Sequence, residues 1–592
     1  MDFYENYESL ATTNFKGELA EILATHTNQT PEKALASIET PPDSTMGHFA
    51  FPCFMLAKEL KKAPPAIAAE IAEKISSNRP TWMGQAVATG PYVNFFLDRA
   101  AFADAVLQEV MAMGVAYGSD GDGLGQTVLV EYSSPNIAKH FHIGHLGSTI
   151  IGKTLDNIYR FLGYEVTSIN HIGDWGTQFG KLITAYLKWG SEEEITKTEI
   201  DGLVKLYVKF HEEADNDPSL NDEARAWVVK MQNGDEEGLR IWKWFCDLSM
   251  KEYQRIYDRL DVNFDLTRGE SYYNGRMEAI AESLEKKGLL IESEGAKIVN
   301  LEEYNMPPCL ILRSDGGTLY PTRDIAAAID RYETFEFIKC LYVTGNEQSL
   351  HFAQWMKVVE LMGYPWASGL EHIPYGMYLF ESGKMSTRRG EVIKMEDLLE
   401  EAVAKTLAII NEKNPNLANK ETVAAQVGVG ALKFNKLYNS RIKDTMFDWD
   451  RMLNFEGETG PYVQYTHARA CSVLKKSLPD DSRMDFGALG LALISGPTFD
   501  AYLLTDDEAF DVLRLIHDFP EKIKDAAEKY EPFIIARQLV ALAQAYNAFY
   551  HEHKVLTDDE PTRRARLALT AAVRQVLKTG LELLGISAPV VM

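Results

Sequence analysis

The sequence predicts a multidomain α/β protein built around a doubly wound parallel sheet. Three observations carry this expectation. A strand, a helix and a second strand follow one another between residues 127 and 169. That order makes a β-α-β unit, whose right-handed crossover sets its two strands parallel. Residues 1–117 read as a separate α+β unit, and from about 395 onward the apolar pattern is helical throughout.

In the first unit, Pro64-Pro65 open a run with apolar residues at helical spacing, and proline suits the first turn of a helix. Gly90-Pro91 precede a strand from Tyr92 to Leu97 that is rich in aromatics. Gly118-Ser119-Asp120-Gly121-Asp122-Gly123 is a turn-rich boundary. The central unit, residues 118–395, starts with the strand Thr127 to Tyr132. A helix follows, with apolar residues at 146, 150, 151, 155, 158 and 162, and Gly163 ends it. Val166 to Ile169 is the next strand, so the unit reads as a Rossmann-like nucleotide-binding domain. The stretch from about 190 to 300 is more helical, charged and aromatic, and reads as an insertion. A hairpin around Asp315-Gly316-Gly317, a helix from about Thr322 and the strand Leu341-Tyr342-Val343 resume the alternation. Residues 396–592 read as an all-α bundle broken by loops such as Leu478 to Ser482.

The 592 residues are 46% hydrophobic and 25% charged, as in ordinary soluble proteins. No stretch of about 18 apolar residues offers a membrane span, and the first residues lack the pattern of a signal peptide. Five cysteines lie far apart with no C-x-x-C pair. This argues against a disulfide framework and a zinc site, and suits a reducing cytoplasm. The net charge of −26 weighs against a nucleic-acid partner, unless the basic residues gather on one face.

Two motifs carry chemistry. Ser133 to His145 lies between the first strand and its helix, where open α/β sheets bind ligands. It ends in His142-Ile143-Gly144-His145 and holds neither G-x-x-x-x-G-K-[ST] nor G-x-G-x-x-G, so no glycine cradle handles phosphate here. His142 and His145, three apart at a helix N-terminus, share one face. The backbone N–H groups and the helix dipole there can meet developing negative charge. Gly144 leaves room for a flat base on the backbone. Alone, the tetrapeptide reads equally well as two histidines capping a helix. More than 200 residues downstream, Gly383-Lys384-Met385-Ser386-Thr387-Arg388-Arg389-Gly390 places three cations between glycines. Such a loop can close on polyphosphate, although alone it reads as a solvated basic turn.

Together the two motifs resemble the HIGH and KMSK signatures of class I aminoacyl-tRNA synthetases. The whole chain resembles the arginyl-tRNA synthetase family within that class. The match runs through Ser133 to His145, Asn170 to Gly180, Tyr320 to Asp324, Gly345 to Gln348, Glu458 to Tyr465 and Leu583 to Ile586. Three positions depart from the family pattern: His140 and Gly147 stand where Pro and Arg are usual, and Thr387 replaces the second Lys of KMSK.

The resemblance implies ATP-dependent ligation of L-arginine to tRNA(Arg) through an arginyl-adenylate, with ATP and Mg²⁺ required, and tRNA bound before activation. It implies ATP binding by His142, Gly144, His145, Lys384, Met385 and Ser386, of which His142, His145 and Lys384 are catalytic. The arginine pocket maps onto Glu131, Ser134, Asn136, Tyr320, Asp324 and Gln348. Asp324 and Glu131 would take the guanidinium, whose five donors call for carboxylates, with Tyr320 beside it. Ser134, Asn136 and Gln348 would hold the α-amino and carboxylate end. No resident metal site is expected. The N-terminal domain would touch the tRNA elbow, with Tyr92 and Asn94 as candidate contacts. The C-terminal bundle would bind the anticodon, with Tyr462 and Gln464 as candidates in a segment that also holds Tyr465, His467 and Arg469. A cytoplasmic monomer with no membrane attachment is expected. Two rivals remain at this point: a small-molecule nucleotidyl transferase, and a non-catalytic binding protein descended from a synthetase.

Overall fold

The computed structural model describes residues 14–41, 43–313, 320–380, 393–478 and 499–592. The expected hairpin around Asp315-Gly316-Gly317, the Lys384-Met385-Ser386 motif and most of the loop after Leu478 lie outside them.

The N-terminal unit is a three-stranded antiparallel sheet of β1 (Phe49–Pro52), β2 (Met83–Thr89) and β3 (Tyr92–Leu97), in the order β1-β3-β2. Helices α1 (Phe15–Thr27) and α2 (Pro64–Ser77) belong to it. Ile67, Ile71 and Ile75 of α2 share the core with Phe51, Val93 and Phe95 of the sheet. Helix α3 (Arg99–Met113) leads out. The turn-rich boundary after it is pinned: Lys524 of the C-terminal bundle pairs with both Asp120 and Asp122.

The central sheet has five parallel strands in the order β11-β10-β4-β5-β6. Its first half holds β4 (Thr127–Glu131), α4 (Ile143–Phe161), β5 (Glu165–Asn170) and α5 (Thr177–Trp189). Three long helices follow, α6 (Ile200–Asn216), α7 (Ser219–Gln232) and α8 (Glu236–Arg259), and then the edge strand β6 (Leu266–Thr267). The main sheet therefore resumes inside the stretch that reads as an insertion; a two-residue strand leaves no periodic signal. Strands β7 (Leu290–Ser293), β8 (Ala296–Val299) and β9 (Cys309–Leu312) form a separate antiparallel sheet. Helix α9 (Tyr320–Phe335), β10 (Lys339–Gly345), α10 (Ser349–Leu361) and β11 (Leu370–Tyr375) complete the domain.

Val128, Leu129 and Val130 of β4 are fully buried because both faces of a parallel sheet are covered. Val128 and Val130 join the core that contains Ile150 and Leu155 of α4. Leu129 joins the opposite core with Ile325 of α9 and Trp355 of α10, as strand alternation demands. The chain builds outward from β4 through β5 to β6, then returns to the other side of β4 as β10. Such a reversal opens a crevice beyond the carboxyl ends of β4 and β10.

The remainder is helical except at one point. Strand β12 (Tyr378–Leu379) pairs in parallel with β13 (Thr445–Met446), and β13 lies inside the region read as helices only. The helices are α11 (Met395–Lys413), α12 (Lys420–Leu437), α13 (Gly460–Lys476), α14 (Asp507–Lys529), α15 (Phe533–Glu552) and α16 (Glu560–Leu583). The bundle grips both other units. Arg99 donates to the Thr505 carbonyl at 2.8 Å, and the Tyr159 hydroxyl at the far end of α4 donates to the Ala527 carbonyl at 3.0 Å. No described helix is long and apolar enough to cross a membrane.

Candidate active site

The crevice at the β4/β10 reversal is a cavity of about 560 Å³. Glu131, Ser134, Asn136, Tyr320, Asp324 and Gln348 all line it, together with His142, Gly144 and His145. Residues from three separate stretches of sequence thus meet in one place.

The loop after β4 is held in an unusual backbone shape. Ser133, Ser134 and Ala138 have φ of 68°, 49° and 60°. Three side-chain-bearing residues in the left-handed region cost energy that the surroundings must supply. The Ser133 N–H donates to Ser148 Oγ at 2.9 Å, and the Ser134 N–H to Asn170 Oδ1 at 3.2 Å. The Ala138 N–H donates to Ser249 Oγ at 3.0 Å, and the Tyr253 hydroxyl donates to the carbonyls of Asn136 and Lys139, both at 2.7 Å. Asn136 packs so tightly on Gly173 that a Cβ there would sit 2.0 Å from Asn136 Oδ1. The helices after β5 thus serve as a wall that fixes this loop.

His142 and His145 cap α4 and face the cavity at once. The Gly144 N–H donates to His142 Nδ1 and the His142 N–H to His145 Nδ1, both at 3.1 Å. The rings lie 3.9 Å apart. Each Nδ1 accepts a proton donor, so each Nε2 carries the hydrogen of the neutral ring. Burial lowers the His142 pKa below its usual value and pushes that of His145 down to about 3. The pair therefore offers two neutral N–H donors rather than charge.

The acids of the cavity each have a partner, with one exception. Glu131 Oε2 lies 2.5 Å from Arg331 Nη2, both deeply buried. This limits the part Glu131 can take in holding an incoming guanidinium. Arg323 Nη1 lies 2.6 Å from Glu270, and His351 Nε2 lies 2.6 Å from Asp324. Burial raises the Glu270 pKa, with Arg323 acting against it and Asp324 reinforcing it. Glu347 has no basic partner among the described residues. Glu270, His351, His171 and Tyr375 line the cavity without having been singled out in the sequence. Glu270 follows the two-residue strand β6, which periodicity does not show. His351 stands three residues after Gln348 on the same helix face, a spacing that would have pointed to it.

The two departures beside the tetrapeptide have structural partners. A Cβ on Gly147 would meet the Tyr375 ring at 2.7 Å, and the Tyr375 hydroxyl donates to the Gly144 carbonyl at 3.3 Å. The missing side chain is what lets this aromatic close the cavity. His140 reaches Asp201 of α6 at 3.1 Å and Glu252 of α8 at 3.5 Å. Both described flanks of the basic loop touch the site. Met377 and Tyr378 line the cavity, and beyond the loop the Ile143 N–H donates to the Ile393 carbonyl at 3.2 Å. Lys384, Met385 and Ser386 themselves lie outside the described residues.

One of the proposed tRNA contacts needs correction. Gln464 is fully buried on the inner side of α13, donating to the carbonyls of Gln426 at 3.2 Å and Ser587 at 2.8 Å. Asn94 is buried at the centre of its sheet, where β3 is flanked by both β1 and β2. Gln464 therefore faces the interior of the bundle, whereas Asn94, two residues from Tyr92, shares that residue's strand face. Tyr92 is half-buried at the strand end beside Phe54. Tyr462 lines a second cavity, of about 630 Å³, with Phe455, Tyr465, Arg469 and Met592. His467 is buried, with Nδ1 3.0 Å from the Pro589 carbonyl.

Comparisons with known proteins agree with this architecture. Residues 11–97 match the arginyl tRNA synthetase N-terminal domain. Residues 107–449 match the class I (R) tRNA synthetase catalytic domain, and 463–592 the DALR anticodon binding domain. An arginine–tRNA ligase of Halothermothrix orenii is 51% identical over 97% of this chain and 99% of its own length. One from Alkaliphilus metalliredigens is 52% identical over 98% and 99%. The arginyl-tRNA synthetase structure from Thermus thermophilus superposes with a TM-score of 0.75 at 27% identity, covering 98% of this chain and all of that one. Matched in every domain and along nearly its full length, the chain belongs to the arginyl-tRNA synthetase family of class I aminoacyl-tRNA synthetases.

Proposed function

We propose that the cavity activates L-arginine with ATP and transfers it to tRNA(Arg). The observation that carries this is the convergence of the HIGH tetrapeptide with Asp324, Asn136, Tyr320 and Gln348 around one cavity. The arginine carboxylate attacks the α-phosphorus of ATP in line; the bond to the leaving pyrophosphate breaks as the acyl-phosphate bond forms. The terminal ribose hydroxyl of tRNA then attacks the adenylate, releasing AMP and giving the ester. No covalent protein intermediate is needed, so positioning and electrostatics supply the acceleration. His142 and His145 donate from Nε2 to phosphate or ribose oxygens. Lys384, Met385 and Ser386 close on the phosphates, with the Lys384 charge stabilising the pyrophosphate. Asp324 takes the substrate guanidinium, and Tyr320 lies beside it. Ser134, Asn136 and Gln348 hold the α-amino and carboxylate end. Glu131, tied to Arg331, contributes through that pair rather than as a free acceptor.

Mg²⁺ neutralises the phosphates when it is bound. Glu347, which has no basic partner among the described residues, is the residue that would meet it. One carboxylate plus substrate phosphates is the usual way this ion is held, so the donor set fits. Binding of the anticodon falls to the C-terminal bundle, where the Tyr462 cavity combines aromatic rings with Arg469. Tyr92 is the candidate contact for the tRNA elbow. The protein acts as a monomer in the cytoplasm.

Pyrophosphate exchange into ATP tests the reading. Exchange should require arginine and should be strongly stimulated by tRNA(Arg). Exchange at full rate without arginine would overturn the assignment of the cavity, and exchange at full rate without tRNA would overturn the order of binding.

A further inference from the structure

The acids of the cavity differ in what holds them. Glu131 and Glu270 are each paired with a guanidinium, at 2.5 and 2.6 Å. Both guanidinium groups are permanently charged, so these two acids are already neutralised. Asp324 is held instead by an imidazole, that of His351, at 2.6 Å. One imidazole N–H fixes a single oxygen of a carboxylate and leaves the other open, whereas a guanidinium can engage both.

We propose that His351 is a positioning residue for arginine selection, holding Asp324 by Oδ2 and leaving its other oxygen for the substrate guanidinium. Among the described residues Asp324 Oδ1 has no hydrogen-bond partner. The imidazole is itself held in place. Its ring meets Phe352 edge-on at 5.6 Å, and Phe352 stacks on His372 at 4.4 Å. His372 Nε2 lies 2.8 Å from Thr344 Oγ1 of β10. The orientation of Asp324 is thus set from the sheet through a packed chain of rings. His351 also shares the first turn of α10 with Gln348 at its start, so one turn orients both ends of the substrate. A permanent cation at 351 would instead compete with the guanidinium for Asp324.

This inference rests on Asp324 being the guanidinium acceptor, and the test separates the two. Exchange kinetics with saturating tRNA are measured for His351→Ala, His351→Gln, His351→Lys and Asp324→Asn. Gln places a neutral N–H where His351 Nε2 lies. His351→Ala should raise the arginine KM about tenfold, the loss expected for one hydrogen bond to a charged group. The ATP KM should stay within about twofold, because only the arginine end has lost binding. His351→Gln should restore most of the arginine KM, and His351→Lys should raise it at least as far as alanine does. An unchanged arginine KM in His351→Ala, or equal rises in both KM values with no rescue by Gln, overturns the role of His351. If Asp324→Asn keeps a normal arginine KM, the pocket assignment fails, and this inference with it.

Discussion

At the scale of single residues, the site uses groups for two purposes at once. His142 and His145 cap a helix, which is the plain reading of the tetrapeptide, and the same bonds fix the tautomer that turns their Nε2 donors to the cavity. Burial is what keeps them neutral, and it does the same elsewhere. His48, His372 and His467 are each pushed down to about 4, and His145 to about 3. In the unfolded chain these rings take up protons near pH 6.5, while in the folded protein they refuse them down to about pH 4 or below. Stability from this source is complete above pH 6.5 and falls as the pH drops below it. Urea unfolding should therefore show a lower midpoint at pH 5.5 than at pH 7.5. An equal or higher midpoint at pH 5.5 would contradict the neutral assignment. The residues of the site were largely legible in the sequence because they sit in motifs. The ion pairs that hold them were not, since Arg331 and Arg323 come from one helix and their acid partners from elsewhere in the chain.

At the scale of elements, the cavity is made by what packs against the end of α4. Tyr375 closes over it from the end of β11, in the space Gly147 leaves. The next residues are strapped to the helical region: Lys436 of α12 donates to the Gly376 carbonyl at 2.7 Å and to Thr445 Oγ1 at 3.2 Å. Beyond the basic loop, the Met395 N–H donates to the Phe141 carbonyl at 2.9 Å. The described residues before the loop are thus held on α12 and β13, and those after it on the residue that precedes the tetrapeptide. Gly147→Ala would drive a methyl into the Tyr375 ring. It should cost about 1–3 kcal/mol of stability through overpacking. It should also raise the ATP KM more than the arginine KM, because Tyr375 lies against Gly144. A variant with wild-type stability and ATP KM would show that the ring moves aside freely. The strand-helix-strand core was legible from periodicity, because β4 and α4 have long, regular apolar patterns. Strands β6 and β13 are two residues each and owe their existence to tertiary partners, so no local pattern announces them; β12, equally short, falls in the strand-like stretch Met377 to Phe380. The expected insertion was too long for the same reason.

For the whole molecule, the arrangement places one reaction chamber between two flanking units. The net charge of −26 argued against a nucleic-acid partner, yet the first two domains match tRNA synthetase families and the third an anticodon binding domain. Net charge is a sum over the entire surface, while binding depends on local potential. The C-terminal bundle anchors to α4 through Tyr159 and to the N-terminal unit through Arg99, so the helix that begins at the histidines ends on the bundle. The central claim is that this chamber selects arginine by its guanidinium. Charging total tRNA with each of the twenty amino acids in turn, in the presence of ATP and Mg²⁺, tests it most directly. Arginine alone should form an acid-precipitable ester, with lysine lower by roughly 10⁴-fold because it leaves the carboxylate pocket unpaired. Charging of a different amino acid, or tRNA binding with no charging at all, would contradict the account.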